Sequence, residues 1–160
     1  MSVKGCHQRL MLLVLLLAGL FSVTAVQAVP KYRSQQLFLP VYSELSYGDR
    51  NAAVNLAVEL TIRNLDAAHS ILVKRAEYLD AQGGVVRSLL EKPLSLKPMS
   101  AELLYIKESD RSGGKSSGVL IEWESSDPVV APLVLGVMVN RVYNQTMAFT
   151  TSPSVLMEGP

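Results

Sequence analysis

From Val54 to Arg63 the chain reads VNLAVELTIR. Val54, Leu56, Val58, Leu60 and Ile62 alternate with Asn55, Ala57, Glu59, Thr61 and Arg63. A period of two places the five apolar side chains on one face of a strand, whereas a helix would scatter them around its circumference. Asn64, Leu65 and Asp66 then supply a turn. The following run, Ser70–Asp80, alternates less regularly. Ile71 and Val73 share one face, Ala76 and Tyr78 the other, and a bulge near Lys74 and Arg75 restores the register. Gln82-Gly83-Gly84 reads as a short hairpin loop, because glycine tolerates positive φ.

Further strands are predicted over Glu102–Lys107, Gly118–Glu124, Leu133–Tyr143 and Met147–Thr151. An early strand, Gln36–Tyr42, contains Pro40, which donates no ladder hydrogen bond and so predicts an edge position. The terminal residues, SPSVLMEGP, are expected to fray. No stretch shows sustained helical periodicity. Turn signals recur roughly every 8–12 residues, and Pro93, Pro98, Pro128 and Pro132 punctuate the longer links. The expectation is an all-β, antiparallel β-sandwich of about seven to nine strands, immunoglobulin-like in general shape.

The first residues belong to a different pattern. Lys4 and Arg9 precede an uncharged apolar run, Leu10–Phe21, and Val26 and Ala28 stand at the small-residue positions of a cleavage site. Residues 1–28 therefore read as a signal peptide removed on export, leaving 29–160 as one domain. The run is short for a bilayer span of roughly 20 residues. The alternative is an uncleaved anchor, and the only membrane contact expected is through this segment. The single cysteine, Cys6, lies within the leader, so the exported part carries none and relies on its core.

Removal of Lys4 and Arg9 lowers Lys+Arg from 15 to 13, against 14 acidic residues, a net charge of −1. That balance offers no electrostatic footprint for nucleic acid.

Candidate chemistry is sparse. Lys107–Gly118, KESDRSGGKSSG, ends like a phosphate loop at Gly114-Lys115-Ser116. The first glycine of that motif falls on Ser109, and the segment that follows, VLIEW, is strand-like instead of helical. The loop reads first as a hairpin connection and second as a ligand- or partner-binding lip. In the second reading Asp110, Arg111, Gly113, Gly114 and Lys115 face the partner, with Arg111 and Lys115 suited to anionic groups. Glu108 and Asp110 offer oxygens to calcium, but without the spacing of a calcium loop. A second polar turn carries Asp49 and Arg50 ahead of the strongest strand.

With His7 and Cys6 in the leader, His69 is the one histidine of the exported part; it reads as an exposed loop residue, and with no cysteine beside it this leaves little for zinc. Met99, Met138, Met147 and Met157 are dispersed and suit a core better than a soft-metal site. Glu122 and Glu124 lie about 6.6–6.8 Å apart along one strand. That fits the paired carboxylates of an inverting glycosidase, although any two alternate acidic residues give it.

The order LPVYSELSYGDR, LAVELTIRN, LEKPLSLKPM, ESDRSGG, VLIEWES resembles a bacterial family known as domain of unknown function 3124, over about Leu39–Thr151. The resemblance implies an exported or envelope protein with no assigned activity, and it transfers no functional residue. Together these readings predict a non-enzymatic periplasmic or envelope module without cofactor. It would bind an envelope protein or a small ligand through the loops around Asp49–Arg50 and Asp110–Lys115. The alternatives are an envelope glycan hydrolase using Glu122 and Glu124 and, more weakly, a methionine-based metal carrier.

Overall fold

A computed structural model describes residues 28–50, 52–142 and 145–159. Apart from Ala28, the predicted signal peptide lies outside the described residues. These residues form twelve strands: β1 (Lys31–Val41), β2 (Glu44–Tyr47), β3 (Ala52–Asn55), β4 (Ala57–Arg63), β5 (Ile71–Leu79), β6 (Val85–Ser88), β7 (Leu94–Leu96), β8 (Ala101–Ile106), β9 (Ser117–Val130), β10 (Leu133–Val142), β11 (Gln145–Thr151) and β12 (Ser154–Gly159). All pairings are antiparallel. One sheet runs β12-β1-β9-β5-β6, with β7 also on β5. The other runs β11-β10-β4-β8, and β2-β3 is a separate hairpin.

The predicted all-β sandwich is therefore the observed architecture. Its strands outnumber the expected seven to nine because β2, β3, β6 and β7 are too short to show a period, and because the terminus is ordered. The core lies between the two larger sheets. Leu37, Leu39 and Val41 of β1 meet Val58, Leu60 and Ile62 of β4, with Ile71, Val73, Ala76 and Tyr78 of β5 and Val119, Ile121 and Trp123 of β9. The β5 bulge falls where the irregular alternation placed it. Register against β9 slips between Val73 and Arg75, so Ile71, Val73, Ala76 and Tyr78 all turn inward.

Four expectations are corrected. The Val54–Arg63 run divides at Leu56, whose amide donates to Ser43 O at 2.9 Å. The chain there leaves the β2–β3 hairpin and joins the sheet. Strand β1 is not an edge, because β12 pairs with it from Ser34 to Phe38. Pro40 is tolerated because this pairing stops at Phe38, so its missing donor faces no ladder. Pro128 lies inside β9, where register against β1 jumps from Val129 to Glu124 and leaves residues 125–128 without a β1 partner. The terminus does not fray but forms β12, held by its ladder to β1 and by Gln35 Nε2 donating to Glu158 Oε1 at 3.1 Å.

Candidate functional site

The polar loop predicted as a lip joins β8 to β9, so a strand follows Gly114-Lys115-Ser116, which excludes a phosphate loop there. It is pinned to its neighbours. Arg111 Nη2 donates to Glu44 Oε2 at 2.6 Å, and Lys115 Nζ lies 2.7 Å from Ser46 Oγ and 3.8 Å from Glu44 Oε1. Ser43 Oγ donates to Gly114 O at 2.7 Å. On the other side Arg87 Nη2 of β6 donates to Asp110 Oδ2 at 3.0 Å. The loop thus bridges the β2–β3 hairpin and β6 at one end of the sandwich.

The charges of this loop answer charges of the chain. Glu44 is buried with its side chain 11% exposed, while Arg111 remains 60% exposed. The guanidinium therefore covers the carboxylate and still faces solvent. Partial burial raises the Asp110 carboxyl, but the Ser112 hydroxyl and amide and the Arg87 guanidinium outweigh burial and hold it below the usual carboxylate range. Glu108 accepts instead from Asn140 Nδ2 at 2.9 Å. Glu108 and Asp110 thus turn to different partners.

The two glycines serve the backbone. Gly114 has φ +74°, and a Cβ on Gly113 would stand 2.3 Å from the Tyr78 hydroxyl. Only a residue without a side chain lets the loop close over this fully buried ring, across which Arg87 also lies at 5.7 Å. Asp49 and Arg50 are exposed at the tip of the β2–β3 hairpin, with no ion pair among the described residues. The structure therefore joins Arg111, Gly114 and Lys115 to the base of the hairpin whose tip carries Asp49 and Arg50, while Asp110 is held by Arg87 of β6 and Gly113 is buried against Tyr78 of β5 and, against expectation, does not face outward. Hydrogen bonds and ion pairs link the loop to Ser43, Glu44 and Ser46, and among the described residues none links it to the tip itself.

Sequence reasoning missed Glu44 and Arg87, the two residues that fix the loop. Glu44 sits in YSELSY among polar neighbours, and Arg87 follows two valines. Their partners are 67 and 23 positions away.

Glu122 and Glu124 stand on the outer face of the sheet, and Lys74 Nζ bridges them at 3.3 and 3.2 Å. Hydrogen bonds to Glu124 and then Glu122 raise the Lys74 ammonium above its ordinary range. Arg75 Nε also donates to Glu122 Oε2 at 2.8 Å. A shallow cleft of about 210 Å³ between β12, β1 and β9 touches Glu122 but not Glu124.

The His69 ring is half exposed and meets Asp66 Oδ1 at 3.1 Å. Met138 is in the core, while Met99, Met147 and Met157 lie on the β7–β8 link, β11 and β12.

Among solved structures, the chain is similar to a Thermotoga maritima protein, 1070, with a TM-score of 0.47 and 15% identity. The match covers 79% of this chain and 97% of that one. No curated protein matches the sequence. The model of the family described as "Protein of unknown function (DUF3124)" matches residues 34–156, and the chain belongs to that family.

Proposed function

We propose that the protein is an exported, non-enzymatic binding module of the periplasm or cell envelope. It engages an envelope protein or small ligand through the end of the sandwich formed by the β2–β3 hairpin and the β8–β9 loop. The observation that carries this reading is the pinning of a long polar loop from both sides, by Glu44, Ser46 and Ser43 on one and Arg87 on the other. A loop held in one shape presents its exposed groups without a further ordering cost on binding. Arg111 and Lys115 balance Glu44 and still reach solvent, and Asp49 and Arg50, with no ion pair among the described residues, extend the same end of the molecule.

The paired variant Asp49→Ala with Arg50→Ala separates binding from folding, because neither side chain is buried or ion-paired among the described residues. Surface substitutions of this kind change stability by no more than about 0.5 kcal/mol. Capture of an envelope component by the wild-type chain should be lost with this variant at an unchanged melting temperature. Equal capture by both proteins would reject the site.

A further inference from the structure

Strand β12 differs from every other strand of its sheet in contributing nothing to the core. Ser154, Val155, Leu156, Met157 and Glu158 are all exposed, and Gly159 is half-buried. Its partner β1 is the opposite: Leu37, Leu39 and Val41 are buried, and β9 alone pairs along its whole length. Loss of β12 would therefore open the edge of a strand that stays folded, from Ser34 to Phe38.

What fits that edge is already specified by the chain. Gln36 stands opposite Met157 and Leu37 opposite Val155, with Leu156 bulged between them. The buried Gln35 amide takes the Glu158 carboxylate. Only Ser152 and Pro153 separate β12 from β11, which belongs to the other sheet. A short link between elements of two sheets leaves the chain little slack, and short hinges are where exchange between copies sets in. The start of the hinge is anchored, because Thr151 Oγ1 donates to Pro40 O at 2.7 Å.

We infer that β12 is an exchangeable strand, and that the β1 edge from Ser34 to Phe38 binds the β12 of a second copy of this chain. The swapped strand makes the same ladder and the same Gln35–Glu158 bond, so exchange gains and loses nothing at the β1 edge. Only the hinge and the approach of the two copies decide the balance. The inference does not depend on the loop surface proposed above, which involves neither β1 nor β12.

The test uses the full chain with Cys6→Ser, which removes the single native cysteine. One chain carries Gln36→Cys and another Met157→Cys, positions directly opposite across the ladder and so within disulfide reach. The two are co-expressed and oxidised. The inference expects a mixed interchain disulfide between them, and none when Gln36→Cys is combined with Tyr47→Cys on the exposed hairpin. Insertion of Gly-Ser-Gly after Ser152 lengthens the link and eases the pairing of β12 with its own β1 that the structure shows, and should lower the mixed product by at least about tenfold. A mixed product no more abundant than the Tyr47→Cys control, with Gln36→Cys and Met157→Cys linking readily within one chain, would overturn exchange. So would a yield indifferent to the insertion.

Discussion

Strands β4 and β12 are both regular antiparallel strands, yet they are held by different forces. On β4 every second side chain, Val58, Leu60 and Ile62, is fully buried, and both neighbours, β10 and β8, pair along it. On β12 no large side chain is buried, and one neighbour pairs with it. The comparison separates the ladder from the burial that usually accompanies it. A ladder bond contributes only about 0.5–1.5 kcal/mol net, because the unfolded chain bonds to water instead. Ordering a residue costs about 1–2 kcal/mol. Burial of a Leu or Ile side chain adds about 1.5–3 kcal/mol. Strand β4 is thus over-determined, and β12 is nearly balanced.

The largest expected effect lies on β4. Leu60→Ala should destabilise by about 2–5 kcal/mol, since the cavity is closed in by both sheets. Leu60→Asp should abolish the folded state by leaving a carboxylate unpaired among apolar side chains. Circular dichroism and thermal melting check both. A cooperative melt for Leu60→Asp near that of the wild type would contradict the account of β4.

The same contrast explains what could be read in advance. The β4 alternation is written in the sequence because burial demands it, and the β5 bulge was legible because a broken alternation still had to fill the core. Strand β12, SVLMEG, has no alternation, since neither face is selected by a core. Its order comes from β1, more than a hundred residues away, and no local pattern encodes that. Glu44 was hidden for a similar reason. A buried carboxylate leaves a trace only when its cation, here Arg111, is seen to close over it. The polar loop that joins β8 to β9 was legible from its composition, whereas the burial of Gly113 against Tyr78 was not. The fixing of the loop to Arg87 and Glu44 was not legible.

Next in size is Gly113→Ala. The added methyl would meet the Tyr78 hydroxyl at 2.3 Å and Ser117 Cβ at 2.6 Å, and Tyr78 is locked in the core. Overpacking of this kind costs about 1–3 kcal/mol. The loop should lift from β5, so backbone amide exchange across residues 110–115 should rise more than elsewhere. A stability loss without faster exchange there would place the strain in Tyr78 and leave the loop seated.

Deletion of residues 154–160 tests β12 directly. The near balance of ladder and ordering terms predicts a loss below about 2 kcal/mol, smaller than Leu60→Ala although a whole strand is removed. A melting curve showing a larger loss than Leu60→Ala would break the comparison.

The smallest effect appears only in acid and concerns how β4 ends. Asn64 is buried, with Nδ2 donating to His69 O, Leu96 O and Lys97 O at 2.9–3.2 Å, and its Oδ1 accepts from the Asp66 amide. Asp66 Oδ1 in turn accepts from the amides of Ala68 and His69, at 2.9 and 2.8 Å. Those amides, led by Ala68, lower the Asp66 carboxyl from 3.8 to about 2, against the opposing effect of burial and with a further contribution from the His69 ring. A carboxyl depressed in the folded state stabilises fully above its unfolded pKa, and this contribution is lost as pH falls towards the folded value. The wild type should therefore exceed Asp66→Asn in melting temperature at neutral pH, and the gap should close between about pH 4 and pH 2. Carboxylates common to both proteins cancel in the difference. A gap constant down to pH 2 would show that the link leaving β4 is held by its backbone shape and Asn64, with the Asp66 charge irrelevant to it. The end of β4 would then depend on its ladder and neighbours alone, as β12 does throughout.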